Sequence, residues 1–327
     1  MIQHFLFQWH ITNQCNLRCT HCYQSDYAHD LSTEVLFSVL EQLNQFRLYW
    51  GATAHINLTG GEPLVSQNLF PVLDAITETG MTFSVLTNGT LLRKQTAQKL
   101  AEYQNLKYIQ VSLDGNQEIH DAIRGAGSFE KALAGIRWLK KYHIPVSVSF
   151  TVSRKNWHSL HEVCQICRKL HADYFWTDRL IPFGHADAQN CLSTEEFQQF
   201  LSALAAEEKK NLQFFRKTFV KTGRALQFLG GCTQGIYHCE AGDSFFTIDE
   251  NCNLLPCRRM PVIIGNLQKE NLLHLYLDSE IMQDLRKHAI PQECRNCQKA
   301  PFCRGGLKCL CYALFQDYHR KDPNCFL

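Results

Sequence analysis

The most informative part of the sequence reads Thr12-Asn13-Gln14-Cys15-Asn16-Leu17-Arg18-Cys19-Thr20-His21-Cys22-Tyr23 and holds three cysteines in one short loop. An iron–sulfur cube has four irons, and each normally takes one cysteine thiolate. Three thiolates leave one iron open to exogenous chemistry, whereas a closed structural site would show four protein ligands. The triplet alone is also compatible with a zinc site in which His21 is the fourth ligand. We interpret it as a catalytic cluster with one open position.

Short apolar segments alternate with longer amphipathic ones from residue 3 to about residue 182. The short segments are rich in β-branched and aromatic residues and predict six strands, over 5–11, 55–58, 82–86, 107–113, 146–152 and 174–181. The longer segments predict helices over 32–49, 67–79, 93–103, 129–142 and 157–170. Ser32 is the predicted N-cap of the first helix and Ser128 that of the fourth.

This alternation of strands and helices indicates an α/β fold with right-handed crossovers and a parallel sheet. Six strand–helix units give a partial (β/α)6 barrel rather than a closed eight-stranded one. Catalytic groups in such folds gather at the carboxyl ends of the strands. Because the cysteine triplet directly follows the first predicted strand, we expect it to lie at that end of the barrel.

The second half of the chain has a different composition. Of the 16 cysteines, three lie in the first 22 residues and ten lie between Cys232 and Cys325. The alternation stops near residue 185, residues 194–215 read as a helix, and the sequence from residue 230 is rich in cysteine and glycine. We therefore predict a barrel over 1–185, a helical linker over 186–229 and, over 230–327, a cysteine-rich module that bound metal stabilises.

Composition excludes several classes of protein. Lys and Arg number 33 against 31 Asp and Glu, so bulk electrostatics favour neither nucleic acid nor an anionic membrane as a partner. The N-terminus lacks a basic segment followed by a long apolar one, and no apolar run reaches the roughly 20 residues that span a bilayer. We expect a cytoplasmic protein, in which so many cysteines would bind metal rather than form disulfides.

Three further motifs follow the predicted strands in order. These are Gly60-Gly61-Glu62-Pro63 after the second, Thr87-Asn88-Gly89-Thr90 after the third and Ser112-Leu113-Asp114-Gly115 at the fourth, with Arg124 shortly beyond. Two adjacent glycines permit close backbone approach to a ligand, and a carboxylate can bind an ammonium group. With the spacing Cys15-x3-Cys19-x2-Cys22, these motifs resemble those of the radical S-adenosylmethionine (SAM) enzymes over roughly residues 3–182.

The resemblance implies one [4Fe–4S] cluster held by Cys15, Cys19 and Cys22. It also implies a SAM site formed by Gly60, Gly61, Glu62, Pro63, Asn88, Ser112, Asp114 and Arg124. In that site Ser112 and Arg124 would contact the SAM carboxylate, for which a guanidinium is a well-matched partner. Asp114 would order the site or hold the ribose.

The resemblance further implies a reaction. SAM on the open iron would take one electron from the reduced cluster and give methionine and a 5′-deoxyadenosyl radical, which abstracts a hydrogen atom from substrate. An electron donor such as flavodoxin or ferredoxin would then be a partner. A non-catalytic iron–sulfur electron carrier or redox sensor is the alternative from another class, but it leaves the glycine motif, Ser112 and Arg124 without a role.

The C-terminal cysteines resemble those of the SPASM module, which carries two auxiliary iron–sulfur clusters in many peptide-modifying radical SAM enzymes. By that resemblance an outer [4Fe–4S] cluster would be held by Cys294, Cys297, Cys303 and Cys325. An inner [4Fe–4S] cluster would be held by Cys239, Cys257 and Cys309, with Cys311 as the alternative to Cys309 and Cys232 or Cys252 as a possible fourth ligand. An absent fourth ligand would leave an iron free to bind substrate. Paired zinc knuckles are the simpler alternative, which the resemblance of the first half of the chain to a radical SAM barrel disfavours.

Other cysteines are less informative. Cys164 and Cys167 lie three apart in a predicted helix and read as ordinary helix residues. A thiol near the radical could donate a hydrogen atom to a peptide radical, and Cys191 and Cys252 are the candidates for that role.

The SPASM resemblance favours a maturase that acts on a ribosomally made precursor peptide, by forming a thioether or other crosslink or by epimerisation. A cofactor-biosynthesis enzyme of the haem or quinone type is the nearest alternative. A sulfatase maturase is less favoured because Arg258-Arg259 follows Cys257, where an acidic residue is expected. The first predicted strand begins almost at Met1, so we expect leader recognition by the barrel mouth, by the module or by a separate leader-binding protein.

Overall fold

Ten strands form one continuous sheet in the computed structural model, which describes residues 3–24, 26–27, 30–212 and 218–327. In chain order the strands are β1 (His4–His10), β2 (Thr53–Thr59), β3 (Thr82–Thr87), β4 (Leu106–Ser112), β5 (Val146–Val152), β6 (Tyr174–Arg179), β7 (Phe219–Lys221), β8 (Phe245–Ile248), β9 (Asn253–Leu255) and β10 (Gly265–Asn266). All six predicted strands are confirmed, with ends that shift by a few residues.

The strand order across the sheet is β10-β9-β8-β1-β2-β3-β4-β5-β6-β7. The strands from β8 through β7 run parallel to one another, and β9 and β10 extend the sheet as antiparallel strands. Because β10 and β7 are the two edges, the sheet is open, as the predicted partial barrel requires. The cysteine-rich module therefore enters the barrel's own sheet through the pairing of β8 with β1.

The described residues also form eleven α-helices. They are α1 (Thr33–Tyr49), α2 (Leu69–Thr79), α3 (Lys94–Leu100), α4 (Gln117–Arg124), α5 (Ser128–Lys141), α6 (Leu160–Lys169), α7 (Thr194–Lys209), α8 (Leu272–Asp278), α9 (Glu280–Arg286), α10 (Ala300–Cys303) and α11 (Lys308–Phe315). The five predicted barrel helices are confirmed as α1, α2, α3, α5 and α6. Sequence periodicity missed α4, which carries Arg124.

The two predicted N-caps have different outcomes. Ser32 caps α1, since its side chain accepts a hydrogen bond from the backbone N–H of Val35. The prediction for Ser128 is wrong, because Gly127 occupies the N-cap position of α5 with φ of 72°. A neighbouring carboxylate supplies the cap instead: Asp121 on α4 accepts hydrogen bonds from the backbone N–H groups of Gly127 and Phe129 and from Ser128 Oγ.

Apolar side chains of the strands and helices form the main core. Phe5, Phe7 and Trp9 alternate along β1 and are fully buried, which is the pattern of a strand with one face packed against the core. Burial of each such side chain contributes about 1.5–3 kcal/mol to stability. Cys164 and Cys167 on α6 belong to the same core, in agreement with their interpretation as ordinary helix residues.

The predicted linker is only partly helical. Its helix α7 begins with a capping box formed by Ser193 and Glu196, and a short 3-10 turn follows over Lys210–Leu212. The last part of the predicted helix, residues 213–217, lies outside the described residues. After it β7 pairs with β6 and extends the barrel sheet, so this part of the linker is sheet rather than helix. None of the helices in the described part of the chain is long and apolar enough to cross a membrane.

Candidate iron–sulfur and SAM site

The cysteine loop, residues 12–23, follows β1 and is held by backbone hydrogen bonds from three directions. The N–H of Gly61 donates to the carbonyl of Thr12 at 2.9 Å, on the side of β2. The N–H of Thr20 donates to Ile123 on α4, and the carbonyl of Cys22 accepts from the N–H of His185 beyond β6. The loop is thus fixed between elements that come from distant parts of the sequence.

The two glycines after β2 make this close approach possible. A Cβ at Gly60 would lie 2.2 Å from the carbonyl oxygen of Thr12, and one at Gly61 would lie 2.2 Å from that of Gln14. Gly60 also has φ of +141°, a conformation that side chains disfavour. The motif therefore packs directly against the backbone of the cysteine loop, a reason for the two glycines in addition to the predicted approach to a ligand.

A cavity of about 770 Å³ lies at the carboxyl ends of the barrel strands, and we call it the central cavity. The three thiol-bearing residues of the cysteine loop line one part of it. The module contributes Cys239, Cys257 and Cys309 to the same cavity. Of the predicted SAM-site residues, five line it: Gly60, Gly61, Asn88, Ser112 and Arg124. The structure thus brings the N-terminal triplet and the inner set of module cysteines to one space.

The thiols of the cysteine loop are electrostatically unusual. The pKa of Cys15 is raised to about 11, chiefly by burial, and charge on the neighbouring Cys19 and Cys22 contributes to this rise. Burial also raises the pKa of Cys19, while the Arg124 guanidinium acts in the opposite direction. Three thiols whose charges disfavour one another are stabilised as thiolates when a cationic metal centre binds them.

Arg124 is held in the central cavity by Asp114. Its Nε donates to Asp114 Oδ2 at 2.6 Å, and its Nη1 lies 3.9 Å from the sulfur of Cys19. Although burial alone would raise the pKa of Asp114, the charge of Arg124 holds it below its ordinary value. Asp114 also accepts a hydrogen bond from the backbone N–H of Thr151 on β5, at 2.9 Å. It is fully buried behind the cavity wall and orients the guanidinium, which fits the first of the two roles predicted for it.

Glu62 lies behind the cavity wall as well. It is fully buried, and its carboxylate accepts hydrogen bonds from Thr87 Oγ1 at 2.6 Å, from the backbone N–H of Asn88 at 2.7 Å and from that of Leu64 at 3.1 Å. It thus joins the glycine motif to the loop after β3. Pro63 begins the short 3-10 turn that follows. A contact of either residue with SAM stays a prediction.

Asn88 connects the loop after β3 with the cysteine loop. Its Nδ2 donates to Asn16 Oδ1 at 3.0 Å, and Asn16 Nδ2 donates to Thr90 Oγ1 at 2.9 Å. Ser112 closes β4 and lines the central cavity near these groups. His21 also lines the cavity, and burial lowers its pKa to about 4, which keeps the ring neutral at physiological pH.

The structure favours Cys309 over Cys311 as the third member of the inner cysteine set. Burial raises the pKa of Cys309 well above its ordinary value, and the charges of Cys257 and Cys239 raise it further, so the three thiols interact. The sulfur of Cys311 instead lies 3.3 Å from the carbonyl oxygen of Arg320. Cys311 is not among the residues that line the central cavity.

The proposed fourth ligands lie elsewhere. Cys232 is buried beside Thr222 and Glu208, and Cys252 is buried beside Gln268 and Asp249. Neither Cys232 nor Cys252 lines the central cavity with the inner set. The structure therefore brings together three inner thiols and does not support either residue as the fourth ligand.

The four cysteines of the outer set are brought together as predicted. Burial raises the pKa of Cys294, and the charges of Cys325 and Cys297 raise it further. Burial also raises the pKa of Cys303 to about 11, with a contribution from Cys325. The residues interact although Cys325 lies near the end of the chain, because the backbone N–H of Asp322 is bonded to the carbonyl of Gly305.

The structure places the two candidate hydrogen donors away from the lining of the central cavity. Cys252 belongs to the main core and is fully buried. Cys191 lies in the segment before α7, where its sulfur is 3.9 Å from the carbonyl oxygen of Leu180. Because neither Cys191 nor Cys252 is among the residues that line the central cavity, the structure supports neither in that role.

One part of the cavity wall was not found from the sequence. Asp178 and Arg179 end β6, Lys221 ends β7, and Arg224 and Arg259 approach from the segments beyond. The position of Asp178 and Arg179 at the carboxyl end of a parallel strand was an available signal. Lys221 and Arg224 had no such signal, because β7 is three residues long and was not predicted.

The donor chemistry of these sites fits iron–sulfur clusters and SAM. Three thiols face a cavity beside a fixed guanidinium, and the glycine motif brings backbone close to them. Among the side chains that the structure describes, no group of three or more His, Cys, Asp or Glu residues is arranged to hold a single metal ion.

Comparison with known proteins agrees with this site. Residues 9–167 match the family model described as the radical SAM superfamily, and residues 239–298 match that described as SPASM, an iron–sulfur cluster-binding domain. The chain therefore carries a radical SAM domain and a SPASM domain. The radical SAM domain implies SAM and a [4Fe–4S] cluster, and the SPASM domain suggests auxiliary clusters.

Two curated relatives align over almost the whole chain. An AdoMet-dependent heme synthase of Methanosarcina barkeri is 26% identical, over 98% of this chain and 95% of the relative. The mycofactocin maturase MftC of Mycolicibacterium smegmatis is 29% identical, over 97% of this chain and 81% of the relative. The solved structure of Streptococcus suis SuiB bound to S-adenosylmethionine shares the fold, with a TM-score of 0.80 and 15% identity over 99% of this chain and 78% of that one.

Proposed function

We propose that this radical SAM enzyme abstracts a hydrogen atom from a precursor peptide and thereby catalyses a maturation step, a crosslink or an epimerisation. The observation that carries the proposal is the central cavity, which the cysteine loop and the inner module thiols line together. A substrate that enters this cavity would meet both the place where a radical would form and a second redox group. That arrangement suits an oxidation in which the substrate first loses a hydrogen atom and then an electron.

The chain's own residues have separable roles in this proposal. Cys15, Cys19 and Cys22 would hold the cluster, and Arg124, fixed by Asp114, would bind the SAM carboxylate. When bound and reduced, the cluster and SAM supply methionine and a 5′-deoxyadenosyl radical. Cys239, Cys257 and Cys309 would hold an inner cluster at the same cavity, and Cys294, Cys297, Cys303 and Cys325 would hold an outer one.

The size of the cavity supports a peptide. SAM must share the 770 Å³ with the reacting part of the substrate, so one or two residues of an extended chain fit better than a large rigid molecule. One relative is named as a maturase, and SuiB, which shares this fold, has also been solved with its precursor peptide SuiA.

A cofactor precursor of the haem type is the second candidate. It is favoured by the similarity of this chain to the heme synthase, because 95% of that relative's length aligns with this chain. A tetrapyrrole would have to present one edge to the central cavity while the rest of the ring stays outside it.

The proposal is tested with anaerobically reconstituted, reduced protein. We expect wild type to convert SAM to 5′-deoxyadenosine, and the triple variant Cys15→Ala, Cys19→Ala, Cys22→Ala to lose this activity, as measured by liquid chromatography. Cys164→Ala is the matched control, since Cys164 lies in the core of α6. Wild type that forms no 5′-deoxyadenosine would contradict radical chemistry.

The substrate class is tested by co-expression with a short peptide encoded beside the gene. A crosslink lowers the peptide mass by two hydrogens, and epimerisation in deuterated water adds one deuterium. An unchanged peptide together with turnover of a tetrapyrrole would favour the second candidate instead.

A further inference from the structure

The side chains that line the central cavity carry an excess of positive charge. Among the residues that the structure describes, six cationic side chains line the cavity: Arg124, Arg179, Lys221, Arg224, Arg258 and Arg259. Of the described carboxylates only two line it, those of Asp178 and the exposed Glu240. An excess of cations over anions in a partly closed space is energetically costly. The cost falls when a ligand, or a carboxylate buried behind the cavity wall, supplies the missing negative charge.

Half of these cations have hidden partners. Arg124 pairs with Asp114 at 2.6 Å, Arg179 with Asp322 at 2.6 Å and Arg258 with Glu250 at 3.1 Å, and none of these three carboxylates lines the cavity. The remaining cations are Lys221, Arg224 and Arg259, which we call the basic wall.

The two arginines of the basic wall share one buried carboxylate, that of Asp178. Arg224 Nη2 lies 2.8 Å from Asp178 Oδ2, and Arg259 Nη1 lies 2.9 Å from the same oxygen. No carboxylate of the residues that the structure describes forms an ion pair with Lys221. Instead its ammonium lies 3.8 Å from the centre of the Tyr174 ring and 5.8 Å from that of Tyr108. Burial lowers the pKa of Lys221, with no neighbouring charge to oppose it.

The guanidinium of Arg224 is held in one position by two aromatic rings and by Asp178. Its guanidinium lies between two rings, 5.3 Å from the centre of Trp176 and 4.9 Å from that of Tyr237. Its Nε and Nη2 are directed at Asp178, which leaves Nη1 without a hydrogen-bond partner among the described residues. A side chain fixed by stacking and an ion pair loses little freedom when it binds a ligand.

The inner thiols account for part of this charge but not for all of it. The pKa of Arg259 is raised by Asp178 and by Cys309 and Cys257, in opposition to burial, so the thiolates stabilise this one arginine. Arg224 still shares the single carboxylate of Asp178, and Lys221 pairs with no carboxylate among the described residues.

We propose that the basic wall is a carboxylate-binding subsite for substrate, in which Arg224 and Lys221 hold an anionic group while the reacting carbon lies toward the cysteine loop. In a peptide this group is an acidic side chain or a free C-terminal carboxylate beside the modified residue. In a tetrapyrrole it is a propionate. This inference rests on the proposed function for the identity of the reaction, but carboxylate binding is measured independently of it.

The test is anaerobic equilibrium dialysis of the reconstituted, SAM-bound protein. The probes are N-acetyl-phenylalanyl-glycine, the amide of the same dipeptide, and coproporphyrin III, whose propionates supply the same chemistry on a macrocycle. Wild type is expected to bind the acid at least about tenfold more tightly than the amide, and Arg224→Met to reduce that ratio to near one. Arg224→Met could also disturb Asp178, so Lys221→Met is a second variant. The Lys221 ammonium contacts only ring faces, and its loss therefore leaves Asp178 and its ion pairs in place.

Arg154→Met is the matched control. Arg154 is an exposed arginine that pairs with Glu196 at 3.0 Å and does not line the cavity, so the acid-to-amide ratio should not change. Coproporphyrin III that binds through Arg224 while the dipeptide acid does not would assign the subsite to a macrocycle. Equal affinity of wild type for acid and amide, with no effect of Arg224→Met or Lys221→Met on any probe, overturns the subsite. Binding in protein that forms no 5′-deoxyadenosine would leave the subsite standing and contradict the proposed function alone.

Discussion

Arg179, at the end of β6, forms a two-pronged ion pair with Asp322, which lies 143 positions further along the chain. Arg179 Nη1 and Nη2 donate to the two carboxylate oxygens at 2.7 and 2.6 Å. Asp322 also accepts the backbone N–H of Leu307 and stands three residues before Cys325. One buried pair thus connects the cavity wall, the segment that bears Cys309 and the loop of the outer cysteine set.

Arg179→Met is expected to lower the free energy of unfolding by about 3 kcal/mol, because Asp322 would remain buried without its counter-charge. Denaturant unfolding of the reconstituted protein measures this. Arg154→Met removes an exposed pair with Glu196 and should cost about 0–1 kcal/mol. Similar losses for the two variants would show that the buried pair does not join the barrel to the module.

Gly61→Ala is expected to prevent loading of the cluster at the cysteine loop, since its Cβ would meet the backbone of Gln14 at 2.2 Å and displace Cys15. The iron content should fall by about four atoms per chain, and formation of 5′-deoxyadenosine should cease. Gly80→Ala is the control: Gly80 ends α2 with φ of +74° and has open space around it. It should lower stability by about 1 kcal/mol and keep all the iron. A fully loaded Gly61→Ala protein would refute the packing argument.

The barrel was predictable because each of its signals is local. Burial of alternate residues produces the apolar pattern of β1, and the motif residues come directly after strands, where parallel folds place their sites. The motifs therefore indicated the correct edge of the sheet. They could not indicate which side chains reach the cavity, and so Glu62 and Asp114 lie behind its wall while Asn88 and Ser112 line it.

The module was less predictable. Cysteine spacing predicted an outer set whose four thiols the structure brings together. The spacing could not distinguish Cys309 from Cys311, which lie two residues apart near the start of α11. A helix directs residues two apart to different sides, so only one of them can reach the cavity. The basic wall was missed for a related reason: Arg224 and Lys221 reach the cavity only because β7 joins the edge of the sheet.

Cys309→Ala and Cys311→Ala test this choice directly. Cys309→Ala is expected to lose about four irons per chain and the electron paramagnetic resonance signal of the inner cluster. Cys311→Ala should keep both, because its sulfur is directed at the carbonyl of Arg320. Loss of iron in Cys311→Ala with full loading of Cys309→Ala would reverse the assignment.

The start of α5 shows how tertiary structure replaces a predicted local cap. A serine at the expected position suggested self-contained capping, but the carboxylate of Asp121 on the undetected helix α4 accepts all three hydrogen bonds there. Two of the donors are backbone N–H groups, so Asp121 satisfies more of the helix end than Ser128 Oγ could. The backbone carbonyl of the same residue accepts a hydrogen bond from the N–H of Gly125, the residue that ends α4 directly after Arg124.

Asp121→Ala is therefore expected to lower the free energy of unfolding by about 1 kcal/mol, whereas Ser128→Ala should cost clearly less. Burial acts to raise the pKa of Asp121, but hydrogen bonds from Phe129 and Gly127 hold it below its ordinary value of 3.8. A carboxylate with a lowered pKa in the folded state stabilises fully above its unfolded pKa and loses that contribution only as pH falls below it. The difference between Asp121→Ala and wild type should thus be the same at about pH 6 and pH 8, as measured by denaturant unfolding. If Ser128→Ala is the more costly change, or if the effect of Asp121→Ala varies across that range, the cap does not come from this carboxylate.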